Sequence, residues 1–219
     1  MSRLALLLTG AILLLTPANA LGLTASSGDE LLNVTGDGGR DELRMRVEGA
    51  HVIIKSPEEI VVGSGCEVIP GGARCVVPGG EDPGPFLRLR GGPDLVFLDE
   101  SLSPRQLQPI VHMGAGRDEV RAGGVFLGSY YGQGGRDLLV GEGSLRGGFG
   151  ADRIFGGRRW DDFLTGDAGD DRLFGRGGRD TLLGGPGDDY LDGGPGFDSG
   201  RGSSGDDTES SIERRYGSG

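Results

Sequence analysis

Aspartates recur at fixed intervals behind runs of glycine in the C-terminal half of this 219-residue chain. Gly147-Gly-Phe-Gly-Ala-Asp152-Arg-Ile-Phe155 and Gly184-Gly-Pro-Gly-Asp-Asp189-Tyr-Leu-Asp192 are complete copies of one nine-residue phrase. Gly175-Arg-Gly-Gly-Arg-Asp180-Thr-Leu-Leu183 departs from it at one glycine. Glycine reaches left-handed backbone angles that strain other residues, so a Gly-Gly-x-Gly run can curl tightly. A tight curl turns several carbonyl oxygens toward one point, and the aspartate that follows adds a carboxylate. Such an all-oxygen surrounding suits Ca2+, which takes about 6–8 oxygen ligands at roughly 2.3–2.6 Å, better than Mg2+, which prefers a rigid octahedron that retains water.

The phrase can be followed in frames. Residues 113–121 carry Asp118, 122–131 are degenerate, and 132–140 carry Asp137. An irregular piece at 141–146 precedes the complete copy at 147–155, with Asp152. Gly156 reads as a one-residue insertion, after which frames start at Gly157, Gly166, Gly175, Gly184, Gly193 and Gly202. Their sixth positions are Asp162, Asp171, Asp180, Asp189, Asp198 and Asp207. The candidate metal ligands are therefore Asp118, Asp137, Asp152, Asp162, Asp171, Asp180, Asp189 and Asp198. Backbone carbonyls near Gly148, Gly150, Gly166, Gly169, Gly175, Gly178, Gly184, Gly187, Gly193 and Gly196 join them.

The elements that must position these groups are short. After each aspartate, three residues are enough for one strand segment with a single inward apolar side chain: Leu164, Leu173, Leu182 and Leu191 in the best frames. Two repeats make one turn of a flattened right-handed roll, so repeats two apart stack on the same edge. Asp162, Asp180 and Asp198 then line one edge, and Asp152, Asp171, Asp189 and Asp207 the other. The fifth-position acids Asp161, Asp170, Asp188 and Asp206 face solvent. The inward position is lost at Gly200 and Glu209, as where a stack of repeats ends in a polar cap. The fold class is all-β, a right-handed parallel β-roll or β-helix solenoid of Gly/Asp-rich nonapeptides. Carboxylates stacked along an edge repel and the apolar core is thin, so folding should depend on the cation.

The nonapeptide resembles G-G-x-G-x-D-x-U-x, the calcium-binding repeat of the RTX or hemolysin-type family. The resemblance is strong over 147–198, fair over 113–140, and reduced to one isolated copy at 36–44. It implies a parallel β-roll loaded with several Ca2+ ions outside the cell, with Asp152, Asp162, Asp171, Asp180, Asp189 and Asp198 matching the family's ligand aspartate. Arg158 and Trp160 replace glycines expected in the 157–165 frame, which sets that turn apart. Many family members leave the cell through an exporter that reads an uncleaved C-terminal signal. This chain is more similar to the small stand-alone secreted members, because residues 1–20 read as a cleavable secretory signal. Arg3 is followed by an apolar run from Leu4 to Leu15 and an Ala18-Asn19-Ala20 cleavage site. The run is short for a membrane span of about 20 residues.

The remainder of the mature chain looks different. Leu43, Met45 and Val47 alternate with charged residues as a half-buried strand. Further strands are expected at 51–54, 59–62, 86–90 and 95–98, and one short helical turn at 103–108, capped by Ser103 with Pro104 behind it. In an exported chain Cys66 and Cys75, separated by the turn-rich Ile69-Pro-Gly-Gly-Ala73, form a disulfide. Two cysteines are too few for a structural zinc site. The layout is a signal peptide at 1–20, a β-rich segment at 21–112 that caps the solenoid, repeats at 113–210 and a tail at 211–219.

Net charge of −11 and a pI near 4.6 argue against nucleic acid and anionic membranes as partners and for a small cation. No catalytic residues are expected. There are two histidines, His51 and His112, without an H-E-x-x-H, and no G-x-S-x-G. Lys55, the sole lysine, belongs to no phosphate loop. A secreted, non-catalytic calcium-binding repeat protein is the leading reading. The alternative is a calcium-dependent surface adhesin or matrix component, with Phe126, Tyr130, Tyr131 and Trp160 as either contact aromatics or packing residues. A polysaccharide lyase on a β-helix is a minor alternative, since its coils are longer and it needs a long groove.

Overall fold

The computed structural model describes residues 23–27, 32–48, 50–57, 60–63, 65–76, 85–100, 108–123 and 127–215. The expected signal peptide at 1–20, most of the helical turn at 103–108, Glu59 and Phe126 lie outside them.

From residue 142 onward the chain alternates between two sheets with every strand. Glu142–Phe149, Phe163–Ala168, Thr181–Pro186 and Ser199–Ser204 belong to the first sheet. Arg153–Phe155, Arg172–Phe174, Tyr190–Asp192 and Thr208–Ser210 belong to the second. Neighbours among these strands are parallel, and each sheet holds 11 strands in all. The molecule is a right-handed parallel β-solenoid in which two repeats complete a turn.

The three-residue strands bury their middle residue, as a pleat with a period of two requires. Leu145 stands level with Leu164 and Leu164 with Leu182, while Ile154, Leu173 and Leu191 stack in the opposite sheet. All six are fully buried, so the core is a file of single apolar side chains between the sheets. Tyr130 takes its place in this file, level with Val111 and Leu145, and is fully buried, a packing residue and not a contact aromatic. At the C-terminal end Ile212 packs where Gly200 has no side chain to offer.

Two expectations need correction. Residues 141–146 are not irregular: Glu142–Phe149 is a strand, and Leu145 does the inward packing although no aspartate precedes it. The copy at 36–44 is not isolated either. Glu42–Glu48 pairs in parallel with Leu95–Leu98, and Leu32–Thr35 with Phe86–Arg88, so both sheets run on continuously into the N-terminal part.

Beyond these the pairing turns antiparallel, through His51–Lys55, Gly72–Val76 and Cys66–Ile69 in one sheet and Leu23–Ser27 in the other. Cys66 and Cys75 face each other across the last antiparallel pair and form the expected disulfide. Among the described residues no helix is long and apolar enough to cross a membrane.

Candidate functional site

Each sixth-position aspartate stands where the glycine turn hands over to the strand, and its backbone N–H falls outside the sheet ladder. A carboxylate from the following coil accepts it. On one edge the Asp41 N–H donates to Asp94 Oδ1, Asp94 to Asp118, Asp118 to Asp137 and Asp137 to Asp152 at 2.8–2.9 Å. The line continues from Asp152 to Asp171, Asp171 to Asp189 and Asp189 to Asp207 at 2.8–3.0 Å. On the other edge Gly143 donates to Asp162, Asp162 to Asp180, Asp180 to Asp198, and Asp198 to Glu213 at 2.6–2.8 Å. The division of aspartates between edges is the one expected from the frames.

In seven of these carboxylates one oxygen is therefore used and the other is not. Oδ2 of Asp118, Asp137, Asp152, Asp171, Asp180, Asp189 and Asp198 is buried without a hydrogen-bond partner. Asp162 differs, its Oδ2 accepting the Gly157 N–H at 2.7 Å. The first glycine of each frame explains where these oxygens go. A Cβ added at Gly147 would lie 2.3 Å from Asp152 Oδ2 and 2.8 Å from the Gly166 carbonyl oxygen. At Gly166 the same point lies 2.3 Å from Asp171 Oδ2 and 2.7 Å from the Gly184 oxygen, and Gly175 and Gly184 repeat the pattern. A free carboxylate oxygen and a carbonyl of the next coil thus close on one small volume that only glycine leaves open.

The fourth glycine serves differently. Gly150, Gly169, Gly178 and Gly187 hold φ between +130° and +140°, and Gly148 at the second position holds +114°. Gly178 is bridged to Gly196 in the next coil.

Burial makes these carboxylates reluctant to ionise. Desolvation, opposed by the backbone hydrogen bond each accepts, pushes Asp137, Asp171 and Asp180 up to about 7 and Asp118, Asp162 and Asp189 up to about 6. Asp152 and Asp198 are raised for the same reason. Neighbouring carboxylates along each edge add to the rise. A buried carboxyl oxygen without a donor, repelled by its neighbours, fits a hard cation. Among the described residues no three His, Cys, Asp or Glu side chains converge on one point. The carboxylates are strung singly along the edges, so a cation held there would draw its other ligands from the turn carbonyls. The fifth-position acids are exposed, as expected; Asp161, Asp170 and Asp188 accept backbone N–H groups of Arg179, Asp188 and Asp206.

Four acidic groups of these lines escaped the sequence reading in whole or part. The phrase places Asp41 only in an isolated copy, and Asp94 in none. Gly91-Gly92-Pro93-Asp94-Leu95-Val96 is a copy shortened before its aspartate, which a fixed nine-residue frame passes over. Glu142 and Glu213 fall outside the frame altogether. Gly156 is not an insertion: its missing Cβ faces Asp162 Oδ2 at 2.5 Å, the place of a first glycine, so the extra residue lies within the turn that follows. His112 stacks on Tyr131 at 4.6 Å and has no part in either line.

The repeat family described as RTX calcium-binding nonapeptide repeat (4 copies) matches residues 142–158 and 161–191. No curated protein and no solved structure matches the chain. The matched residues include Asp152, Asp171 and Asp189 of one edge and Asp162 and Asp180 of the other, and the chain accordingly carries an RTX-type calcium-binding nonapeptide repeat domain folded as a parallel β-solenoid.

Proposed function

We propose that this is a secreted, non-catalytic protein whose β-roll binds several Ca2+ ions, folds on them and is stiffened by them. The observation that carries the reading is the set of buried carboxylates along the two lines, of which Asp118, Asp137, Asp152, Asp171, Asp180, Asp189 and Asp198 each have one oxygen bonded to the neighbouring coil and one left without a donor. In this reading Asp118, Asp137, Asp152, Asp162, Asp171, Asp180, Asp189 and Asp198 are the ligands, helped by carbonyls of the glycine turns. Residues 113–210 are the binding array, and within 21–112 the antiparallel strands and the disulfide close the N-terminal end of the roll. Export rests on the signal-like residues 1–20 and on the extracellular calcium concentrations that such sites suit.

Far-UV circular dichroism of the mature chain tests this. The β signal should rise as Ca2+ is added through about 10⁻⁴–10⁻³ M, the range of extracellular modules. Identical spectra in chelator and in excess calcium would sink the reading.

A second reading, adhesion to a cell surface or matrix, is favoured by one observation. Phe149 is 75% exposed, and Trp160, Phe163 and Phe197 are also open to solvent. Calcium-dependent retention of the protein on immobilised cells or glycans would separate it from calcium binding alone.

A further inference from the structure

The repeat is interrupted twice in sequence, and the two interruptions meet in space. Ser144 pairs with Phe163, so Gly143 stands level with Asp162 and offers no carboxylate to continue the line. One coil further back Gly128 is level with Gly143, and there too the side chain is absent. The edge that holds Asp162, Asp180 and Asp198 therefore ends at Asp162 in its regular form.

At that end a different acid appears. Glu142, one residue before Gly143, is buried, with 7% of its surface exposed. The seven-residue turn 156–162 wraps around it. A Cβ at Gly157 would lie 2.0 Å from Glu142 Cγ and 2.3 Å from Oε1. Oε1 accepts the Arg158 N–H at 3.3 Å, and Oε2 has no hydrogen-bond partner. A second orphan lies beside it. The Tyr130 hydroxyl is fully buried, makes no hydrogen bond, and feels the charges of both Glu142 and Asp162. A Cβ at Gly128 would come within 2.3 Å of that hydroxyl, so the missing side chain is what gives it room.

Of the nearby arginines, Arg176 is engaged elsewhere. Arg158, Arg159 and Arg176 line a cleft of about 430 Å³ with Glu142, Gly156 and Gly157. Arg176 lies over the Phe155 ring at 4.9 Å and donates to the Gly156 carbonyl. None of the ion pairs among the described residues involves Glu142.

We propose that Glu142 and Asp162 form a separate Ca2+ site at this double interruption, with the Tyr130 hydroxyl as a neutral oxygen beside them. The site rests on the reading of the roll as a calcium binder. It differs from the regular edges in drawing its first carboxylate from outside the nonapeptide. Glu142 Oε2 and the Tyr130 hydroxyl are buried without a partner, and a hard cation is the partner that this oxygen set accepts.

Calcium stoichiometry of the full mature chain, by calorimetric titration, tests the proposal with Glu142→Gln. Glutamine keeps an acceptor for the Arg158 N–H, so a merely structural Glu142 would leave the stoichiometry unchanged, and that result would overturn the site. The expected result is one calcium fewer per chain, with the same β signal at saturation. Should the variant fail to fold, the wild-type protein decides. A crystal grown in calcium, with the ions located by anomalous scattering, should place one ion against Glu142. Calcium along the regular edges without one at Glu142 overturns this site alone, and calcium nowhere overturns the functional reading with it.

Discussion

At Gly187 the backbone holds φ of +140°, and the Gly169 carbonyl oxygen stands 2.1 Å from where a Cβ would be. Arg176, at the second position of its frame, holds φ of +74°, within the left-handed region that ordinary residues tolerate. Gln133, Asp167 and Ser203 take the second position in their own frames at φ between +73° and +102°. This is why the phrase loses its second glycine so often and its fourth so seldom. Gly187→Ala should cost about 1–3 kcal/mol and shift the calcium midpoint of folding upward, through forced strain in that region. Arg176→Gly should change stability by less than about 1 kcal/mol, since relief at one residue is offset by a looser unfolded chain. Calcium titrations followed by circular dichroism would rank the two, and equal effects would undo the distinction. The aspartates divide likewise. Asp180 and Asp189 are buried with a coil on either side, so replacing either by alanine should lower calcium stoichiometry and raise the midpoint. Asp207 is only half-buried at the end of its line, and Asp207→Ala should do little. If it proves as harmful as Asp189→Ala, the C-terminal end of that line reaches further than Asp207.

The elements follow the same division between what repeats and what does not. Triplet strands such as Arg172–Phe174 were legible because one apolar residue follows each aspartate at constant spacing. The strand Glu142–Phe149 was not, because it keeps the inward Leu145 and drops the aspartate by which frames are found. The shortened copy ending in Asp94 failed for the converse reason: its carboxylate and strand survive, but the turn before them is cut. Register in a solenoid is set by inward side chains stacking on one another. A coil can therefore lose residues from its turn and stay in the sheet. Of the antiparallel strands at the N-terminal end, His51–Lys55 is legible in the sequence but Leu23–Ser27, Cys66–Ile69 and Gly72–Val76 are not, and the pairing is not, since His51–Lys55 and Gly72–Val76 carry no phrase that names a partner. There the Cys66–Cys75 bond ties two adjacent strands and closes a short loop. Its removal by Cys66→Ser with Cys75→Ser should cost at most about 2–3 kcal/mol. The calcium response should survive intact, because no described carboxylate of either line lies between the two strands. Loss of that response in the double variant, read by circular dichroism, would mean that the N-terminal strands are needed to start the roll.

On the scale of the whole molecule, the acids and the core run side by side from end to end. One line of carboxylates extends from Asp41 to Asp207 and the other from Asp162 to Glu213. From Asp94 on one line and Asp162 on the other, each carboxylate holds the coil before it through a backbone N–H, so the lines stitch the stack lengthwise as the sheets do. They also load it with repulsion, in a chain of net charge −11. Proton and calcium then compete for the same oxygens, and the stability of the roll should answer to pH in opposite senses with and without the metal. In chelator, burial raises Asp137, Asp171 and Asp180 to about 7 and Asp118, Asp162 and Asp189 to about 6, from 3.8 in the open chain. Between those values the folded form binds more protons than the unfolded one. Stability is therefore fully present below the open-chain value and is lost as pH rises through the folded ones. With calcium the ligands must be ionised, so binding releases protons and strengthens as pH rises through the same window. Thermal melts at about pH 5, 6.5 and 8 should give a Tm that falls with pH in chelator. In calcium chosen near the midpoint, the Tm should rise. Two curves of the same slope would show that the buried aspartates are not where the metal binds.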